Sequence, residues 1–385
     1  MKVLVTGGAG FIGSHTVDLL LERGYAVRVL DALLPPVHVP ERLPEYLPSR
    51  DVDFVLGDVR DRAAWERALD GVEAVLHLAA YQDYLPDFSR FFHTNTVSTA
   101  LLYELIVERR LPVRKVVVAS SQAVYGEGKY RCNGGALQGA AGDSHGTLFP
   151  PPRQEEQLRR GDWEIRCPRC GLPVEPQWTD EEVVNPHNQY AISKYTQEMV
   201  ALNLGRRYGI PTVCMRYSIV QGPRQAFRNA YSGVLRVFVQ RLLHGRPPVC
   251  YEDGQQLRDY VAVQDVARAN LCVLEDARAD FQVFNVGGNR RISVLEYARL
   301  ISQRAGVELS PQTPRLYRFG DTRHIFSDVG KLRALGWEPL VPLERVVDEY
   351  IAWAQTQADF RDYSEEAEAQ MKAQGVIRAA ERSVS

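Results

Sequence analysis

Over the first 220 positions or so, short apolar runs alternate with longer stretches whose apolar residues recur at helical spacing. The runs are 2–6 (KVLVT), 26–30, 52–56, 74–78, 115–119 and 212–217; the helical stretches are 14–23, 61–69, 95–110 and 189–208. Continuously apolar strands separated by helices predict an α/β architecture, a doubly wound parallel sheet covered on both faces. Beyond Gly222-Pro223 the pattern loosens, then returns to a strand-like run at 283–286. A smaller C-terminal lobe interleaved with the first domain follows. The expected organisation is 1–218 with 262–286 as the first domain, 129–182 as an insertion, 219–261 and 287–360 as the lobe, and 361–385 as a charged tail. Glu365, Glu366 and Glu368 make that tail read as a solvated helix or a frayed end.

Composition narrows the partners. The 385 residues are 45% hydrophobic and 24% charged, with a formal net charge of −2, and no block of like charge offers a footprint for nucleic acid or a membrane surface. Nothing approaches the ~18 apolar residues of a membrane span, and the start, MKVLVTGGAGFIGS, is broken by glycines where a signal peptide would be apolar. The expected location is the cytoplasm. Of six cysteines, Cys214, Cys250 and Cys272 sit in apolar contexts and read as core thiols.

The first turn carries chemistry. Gly7, Gly10 and Gly13 stand at G-x-x-G-x-x-G spacing between a strand and a helix, where a tight turn, close approach of a pyrophosphate and helix–sheet packing each exclude a Cβ. This predicts a Rossmann dinucleotide site. Asp31, closing the second strand, can accept from the adenosine ribose hydroxyls and repel a 2′-phosphate, which favours NAD over NADP. Asp58, after the third strand, reads either as an adenine contact or as a helix-cap acid.

Tyr190 and Lys194 lie i,i+4 on one helix face, and an ammonium beside a phenol favours the phenolate that can take a proton from an alcohol. Ser120 and Ser121, closing the 115–119 run, can donate to the same oxygen or simply cap a loop.

Together with His77-Leu78-Ala79-Ala80, Val124-Tyr125-Gly126, Gly222-Pro223-Arg224, Arg258-Asp259-Tyr260 and Arg318-Phe319-Gly320-Asp321, in that order, these motifs resemble the extended short-chain dehydrogenase/reductases, in their nucleotide-sugar epimerase and dehydratase branch. The resemblance covers nearly the whole chain outside 129–182. It implies Ser121 as the catalytic hydroxyl, Tyr190 as the base, and Lys194 as partner of Tyr190 and ligand of the nicotinamide ribose. Around NAD it further implies Phe11, Ile12, Val59, Leu78, Ala79, Ala80 and Asn95, the last also readable as a helix N-cap. Arg258 and Arg318 would grip a sugar nucleotide's diphosphate. Tyr81, Gln82, Gln122 and Asn229 would line the sugar site, although the 81–84 segment could equally be a surface loop. Dehydratases of the branch carry Asp-Glu right after the catalytic hydroxyl; Gln122 and Ala123 stand there here, and Ile219 replaces a usual asparagine. The implied activity is an NAD-dependent nucleotide-sugar 4-epimerase working through a transient 4-keto sugar, on a dTDP-deoxyhexose such as dTDP-rhamnose or on a UDP-hexose. The alternatives are a 4,6-dehydratase or net oxidoreductase and, from another class, a non-catalytic NAD-sensing interaction protein. The resemblance also implies a homodimer, with helices 95–110 and 189–208 paired as a four-helix bundle; Leu101, Leu102, Leu105 and Ile106 offer an apolar stripe wide enough for both the sheet and a partner.

The insertion has its own signal. Cys167-Pro168-Arg169-Cys170-Gly171 is a zinc-knuckle turn, and Cys132 with His145 can complete a tetrahedral site. A structural zinc ion is expected, because a stretch with so little apolar content cannot build a core unaided.

Overall fold

The computed structural model describes residues 1–385 except 41, 48–50, 84, 135–144, 229–232 and 382–385. Asn229, expected at the sugar site, lies outside the described residues. Seven strands form one parallel sheet in the order Gln282–Val286, Thr212–Tyr217, Lys115–Ser121, Ala74–His77, Lys2–Thr6, Ala26–Asp31, Val52–Leu56. Side-chain alternation along each strand supplies two cores. Val3, Val5, Val27 and Val29 pack with Val17 and Leu20 of the helix Phe11–Glu22 and with Val266 and Val273 of Val263–Glu275. Leu4, Val75, Val116 and Val118 pack on the other face with Trp65, Leu102, Leu105 and Ala201. The C-terminal strand ends, at Thr6, Asp31, His77, Ser121 and Tyr217, therefore share one edge, the edge where open α/β sheets bind ligands.

The helix expected over 95–110 begins earlier and is irregular. It runs from Phe88–Phe91 through a π-helical stretch, Phe92–Val97, into Ser98–Glu108. Asn95 is thus inside a helical run and caps nothing; its side-chain amide serves partners outside the helix. Leu102, Leu105 and Ile106, read as a stripe shared with a second copy, are buried in this chain's own core. Apolar residues exposed on this run and on the helix Gln189–Tyr208 include Phe88, Val97, Ile192 and Met199.

In the lobe, Ile219–Gln221, Leu257–Ala262 and Arg291–Ser293 make a three-stranded sheet. It packs with Val234–Leu243, Val294–Arg304 and Leu343–Thr356 around a third core. Ser293 and Glu296 close a capping box at the start of the second of these helices.

The tail is not a solvated end. Its helix Ser364–Ala373 buries Ser364, Ala367 and Met371, and its strand Ile377–Ala379 pairs antiparallel with Leu316–Arg318. The few apolar residues that anchor it are diluted among charges, so only pairing with a distant strand reveals them. The insertion forms a small antiparallel sheet of Gly146–Leu148, Tyr130–Cys132 and Glu175–Pro176 over Ile165, Cys167 and Val174. Among the described residues no helix is long and apolar enough to cross a membrane.

Candidate active site

The glycine turn is built by exclusion. Gly7 has φ +67°, and a Cβ on it would stand 2.9 Å from Ala79 backbone atoms. A Cβ on Gly13 would stand 2.1 Å from the Gly7 carbonyl oxygen, and one on Gly10 3.2 Å from that same oxygen. The helix that follows has no side-chain cap and no acid in its first turn, so its N-terminal N–H groups keep their capacity for an anion. Asp31 accepts from Ala9 N at 3.1 Å and Leu33 N at 2.9 Å, which holds its carboxylate at the turn. Leu78 and Ala79 bond to Thr6 at 3.3 and 3.1 Å, so the Leu78-Ala79-Ala80 turn borders the glycines. Asp58 accepts from the Arg60 backbone and guanidinium. Burial acts upward on its carboxyl, but those bonds leave it below the usual range. It does not cap a helix: Asp61 does, accepting from Ala63 N. Val59 is buried, its carbonyl taken by Trp65 Nε1 at 2.6 Å. The donors and the space fit a dinucleotide.

Tyr190 and Lys194 project from the helix Gln189–Tyr208, whose first turn is capped by Asn188. Ser121 ends its strand and caps the next turn through Ala123 N at 3.1 Å. Burial pushes the Tyr190 phenol up to about 12, and a hydrogen bond shared with Ser121 acts the other way. The Lys194 ammonium donates to the Ala119 carbonyl at 2.8 Å and to Gln197 Oε1 at 2.9 Å, and burial lowers it to about 7, against the pull of Glu198. His77, fully buried between Thr6 and Ser98, is held neutral at about 3 by burial and then by Lys194. Asn95 binds both backbone groups of Tyr81, at 2.8 and 3.0 Å, and reaches Ser193 Oγ at 3.0 Å, locking the segment after Ala80 to the helix of Tyr190.

A cleft of about 640 Å³ runs from Phe11 and Ile12 past Ser121 and Tyr190 into the lobe. Gln82 and Gln122 line it, whereas the Tyr81 hydroxyl is directed to Asp87 at 2.7 Å beneath Arg90. Arg258 and Arg318 line its far end. Arg258 is braced by the carbonyls of Leu257, Thr322 and Arg323 at 2.8–3.0 Å, and Arg318 lies 4.9 Å over the Tyr251 ring. Ile219 adds an apolar patch, and the tail contributes Ala367, Glu368, Met371 and Val376.

Residues not singled out from the sequence also face this cleft. Gln221, Gln225 and Gln256 are buried, each with an amide atom lacking a hydrogen-bond partner in the protein, a capacity a polyhydroxylated ligand can use. Glu127 is 2% exposed and accepts from Arg323 N at 2.9 Å. Burial pushes its carboxyl up to about 7 against the opposing charge of Arg153. An acid directly after the Tyr125-Gly126 turn, at the ligand edge of the sheet, was the available signal for it.

In the insertion, the ligand atoms of Cys132, His145, Cys167 and Cys170 lie within 4.8 Å of one another, an arrangement that can hold a metal ion. Cys132 Sγ is 3.5 Å from His145 Nδ1 and 3.6 Å from Cys170 Sγ; His145 Nδ1 is 3.2 Å from Cys167 Sγ. Hydrogen bonds from the backbone of Gly134, then of His145, bring the Cys132 thiol down to about 6. Cys214 and Cys250 are buried thiols, as their apolar contexts predict, and Cys272 packs half-buried on the main core.

Glu127 supplies a pH test. Its folded pKa lies above the ordinary carboxyl value, so folding takes up a proton and its contribution to stability falls as pH rises from about 4.5 to about 7. Glu127→Gln keeps an acceptor for Arg323 N. The variant should melt higher than the parent at pH 8, and the difference should vanish by pH 4.5 in thermal melts across that range.

A profile of the NAD dependent epimerase/dehydratase family matches residues 3–137 and 170–287, leaving out most of the insertion. The dTDP-L-rhamnose 4-epimerase of Burkholderia thailandensis is 31% identical over 364 residues, which is 93% of this chain and 96% of that protein. The UDP-glucose 4-epimerase of Thermotoga maritima, solved with UDP-glucose, superimposes with a TM-score of 0.72 at 30% identity, covering 92% of this chain and 99% of that one. The Thermus thermophilus enzyme, solved with NAD, gives a TM-score of 0.69 at 29% identity over 93% of this chain and 100% of its own. With the glycine turn, the Ser121/Tyr190/Lys194 constellation and the parallel sheet all in place, this chain belongs to the NAD-dependent epimerase/dehydratase family of nucleotide-sugar enzymes.

Proposed function

We propose that the protein is an NAD-dependent nucleotide-sugar 4-epimerase whose substrate is a dTDP-deoxyhexose or a UDP-hexose. The observation that carries this reading is that Ser121 and Tyr190 line one cleft with Phe11 and Ile12, which follow Gly10 of the glycine turn, while Gln122 and Ala123 occupy the two positions after Ser121. Elimination across C5 and C6 needs an acid beside the reacting hydroxyl, and an amide and a methyl supply none. Oxidation and return at C4 needs only a base. Tyr190 Oη takes the C4 hydroxyl proton and gives it back, and Ser121 holds the C4 oxygen. Lys194 fixes the base by bracing its helix against the strand end at Ala119. NAD, when bound, supplies the hydride acceptor at C4 and a positively charged ring. The likeness to the Burkholderia enzyme favours the dTDP-deoxyhexose. Incubation with dTDP-rhamnose, UDP-glucose and UDP-N-acetylglucosamine, with products identified by NMR, tests the reading; a 4-epimer with no net NADH is the expected result. Tyr190→Phe should keep fold and NAD content while turnover falls by roughly 10² to 10⁴. Lys194→Ala should lower both rate and NAD retention.

Asp31 sets the cofactor preference in this reading, since a carboxylate at the ribose rejects a 2′-phosphate. Asp31→Ala should weaken NAD binding and narrow its margin over NADP, as read by fluorescence titration. Equal affinities in the parent protein would remove the idea.

Cys132, His145, Cys167 and Cys170 are proposed ligands of one structural zinc ion. A tetrahedral ion with Zn–S near ~2.3 Å sets sulfurs about 3.8 Å apart, and the 3.6 Å between Cys132 and Cys170 supports this. Elemental analysis of protein purified without chelator should find about one zinc per chain. Chelation should loosen 129–182 before the sheet in hydrogen exchange.

A homodimer through the helical run 92–108 and the helix Gln189–Tyr208 rests on Val97, Ile192 and Met199, exposed at 50%, 41% and 48%. Light scattering should give twice the chain mass, and a paired Ile192→Glu, Met199→Glu variant should halve it.

A further inference from the structure

The ion network between the insertion and the lobe, buried at Arg323, Glu252 and Arg153 and half-exposed at Glu164 and Asp253, ends on the backbone that braces Arg258. Arg323, fully buried, pairs with Glu164 of the insertion at 2.6 Å and with Glu252 and Asp253 of the lobe at 2.9 and 2.7 Å. The neighbouring His324 joins Glu164 through Nε2 at 3.2 Å and accepts from Leu257 N through Nδ1 at 3.0 Å. Arg258 then donates to the carbonyls of Arg323 and Thr322 at 2.9 and 2.8 Å. From earlier in the insertion, Arg153 grips Glu252 with both terminal nitrogens at 2.9 Å and donates to the Asp321 carbonyl at 2.9 Å. The 321–324 segment is therefore clamped from the insertion at two points, and it carries the acceptors that aim Arg258 into the cleft.

Glu164 is also tied to the cysteine cluster. It lies three residues before Cys167, and between them Ile165 accepts from Val174 N at 3.1 Å in the hairpin that carries Cys167 and Cys170. Ile165, Cys167, Val174 and Cys132 share one small core. Despite burial, which acts upward, the hydrogen bond from His324 and the charge of Arg323 bring the Glu164 carboxyl down to about 2, so it is charged at any working pH.

We propose that Glu164 is a positioning residue for nucleotide-sugar binding, orienting Arg258 through Arg323 and His324, and that metal at Cys132/His145/Cys167/Cys170 acts on diphosphate affinity through it. The metal arm rests on the zinc reading above. A hairpin without its ion loses the core that fixes Glu164, and the clamp on 321–324 slackens while the glycine turn and Tyr190, on the other side of the cleft, are untouched. Metal state then governs how tightly a nucleoside diphosphate is held, and leaves NAD retention and the chemical step alone.

The test uses the NAD-loaded full chain and titrates UDP and dTDP calorimetrically, so it does not depend on which sugar is turned over. Glu164→Gln should raise both dissociation constants roughly tenfold with NAD content unchanged. Arg153→Lys, which loses the two-nitrogen grip on Glu252, should do the same by the second clamp. Chelation should weaken the parent to a similar degree, add little in Glu164→Gln, and be reversed by zinc. With any substrate the protein epimerises, KM should rise at constant kcat. Unchanged affinity in both variants overturns the proposal, as does a chelation effect that multiplies with Glu164→Gln, or a parallel loss of NAD. Protein that holds no zinc as purified overturns the zinc reading and the metal arm together. Zinc present, with affinity indifferent to its removal, overturns the coupling alone.

Discussion

At Gly13 there is no room for a side chain: a Cβ would stand 2.1 Å from the Gly7 carbonyl oxygen. That closeness brings the first helix down onto the end of the first strand, with uncapped N–H groups facing the ligand edge of the sheet. The placement of everything else at the site is relative to this contact. Gly7 touches the Ala79 backbone, Ala79 is bonded to Thr6, and Asp31 is fastened to the same turn through Ala9. Strand pairing carries the register across to Ser121 and Tyr217.

Burial then shapes the chemistry. Tyr190, Lys194 and His77 sit where charge is expensive, so the phenol is pushed up and the lysine and histidine are pushed down. Each also has its polar atoms met by fixed neighbours, which keeps the geometry while the charge states stay responsive to a bound ligand. Asn95 serves this arrangement from inside a helix. From a π-helical stretch its side-chain amide holds the Tyr81 backbone against the helix of Tyr190.

The substrate wall is assembled from parts far apart in the chain. Arg258 comes from the lobe sheet, its acceptors from 321–324, the clamp on those acceptors from the insertion, and the backing of Arg318 from the C-terminal strand. Such a wall sets paired charges among apolar residues. Its order therefore depends on every partner being present, since a buried charge left alone is costly.

The parallel sheet, the glycine turn, Asp31 and the Ser121/Tyr190/Lys194 set were legible from residues 1–220, because strand and helix periodicity and the exclusion of a Cβ are local properties. The convergence of Cys132 and His145 on the C-x-x-C turn could be anticipated too, since thiolates and imidazole advertise their chemistry at any distance. Other features depended on contacts between remote segments. The leucines of the helix at 98–108 could face a partner or their own sheet, and only packing sent them inward. Beyond its helix, the charged tail ends in a strand, Ile377–Ala379, paired with the edge that Leu316–Arg318 offers. Gln221, Gln225 and Gln256 carry no motif that marks a site, and Glu164 gains its meaning only from Arg323. A sequence displays periodicity and chemical type, but which side chains share a buried volume, and so which charges must be paired, is decided by the tertiary structure that encloses them.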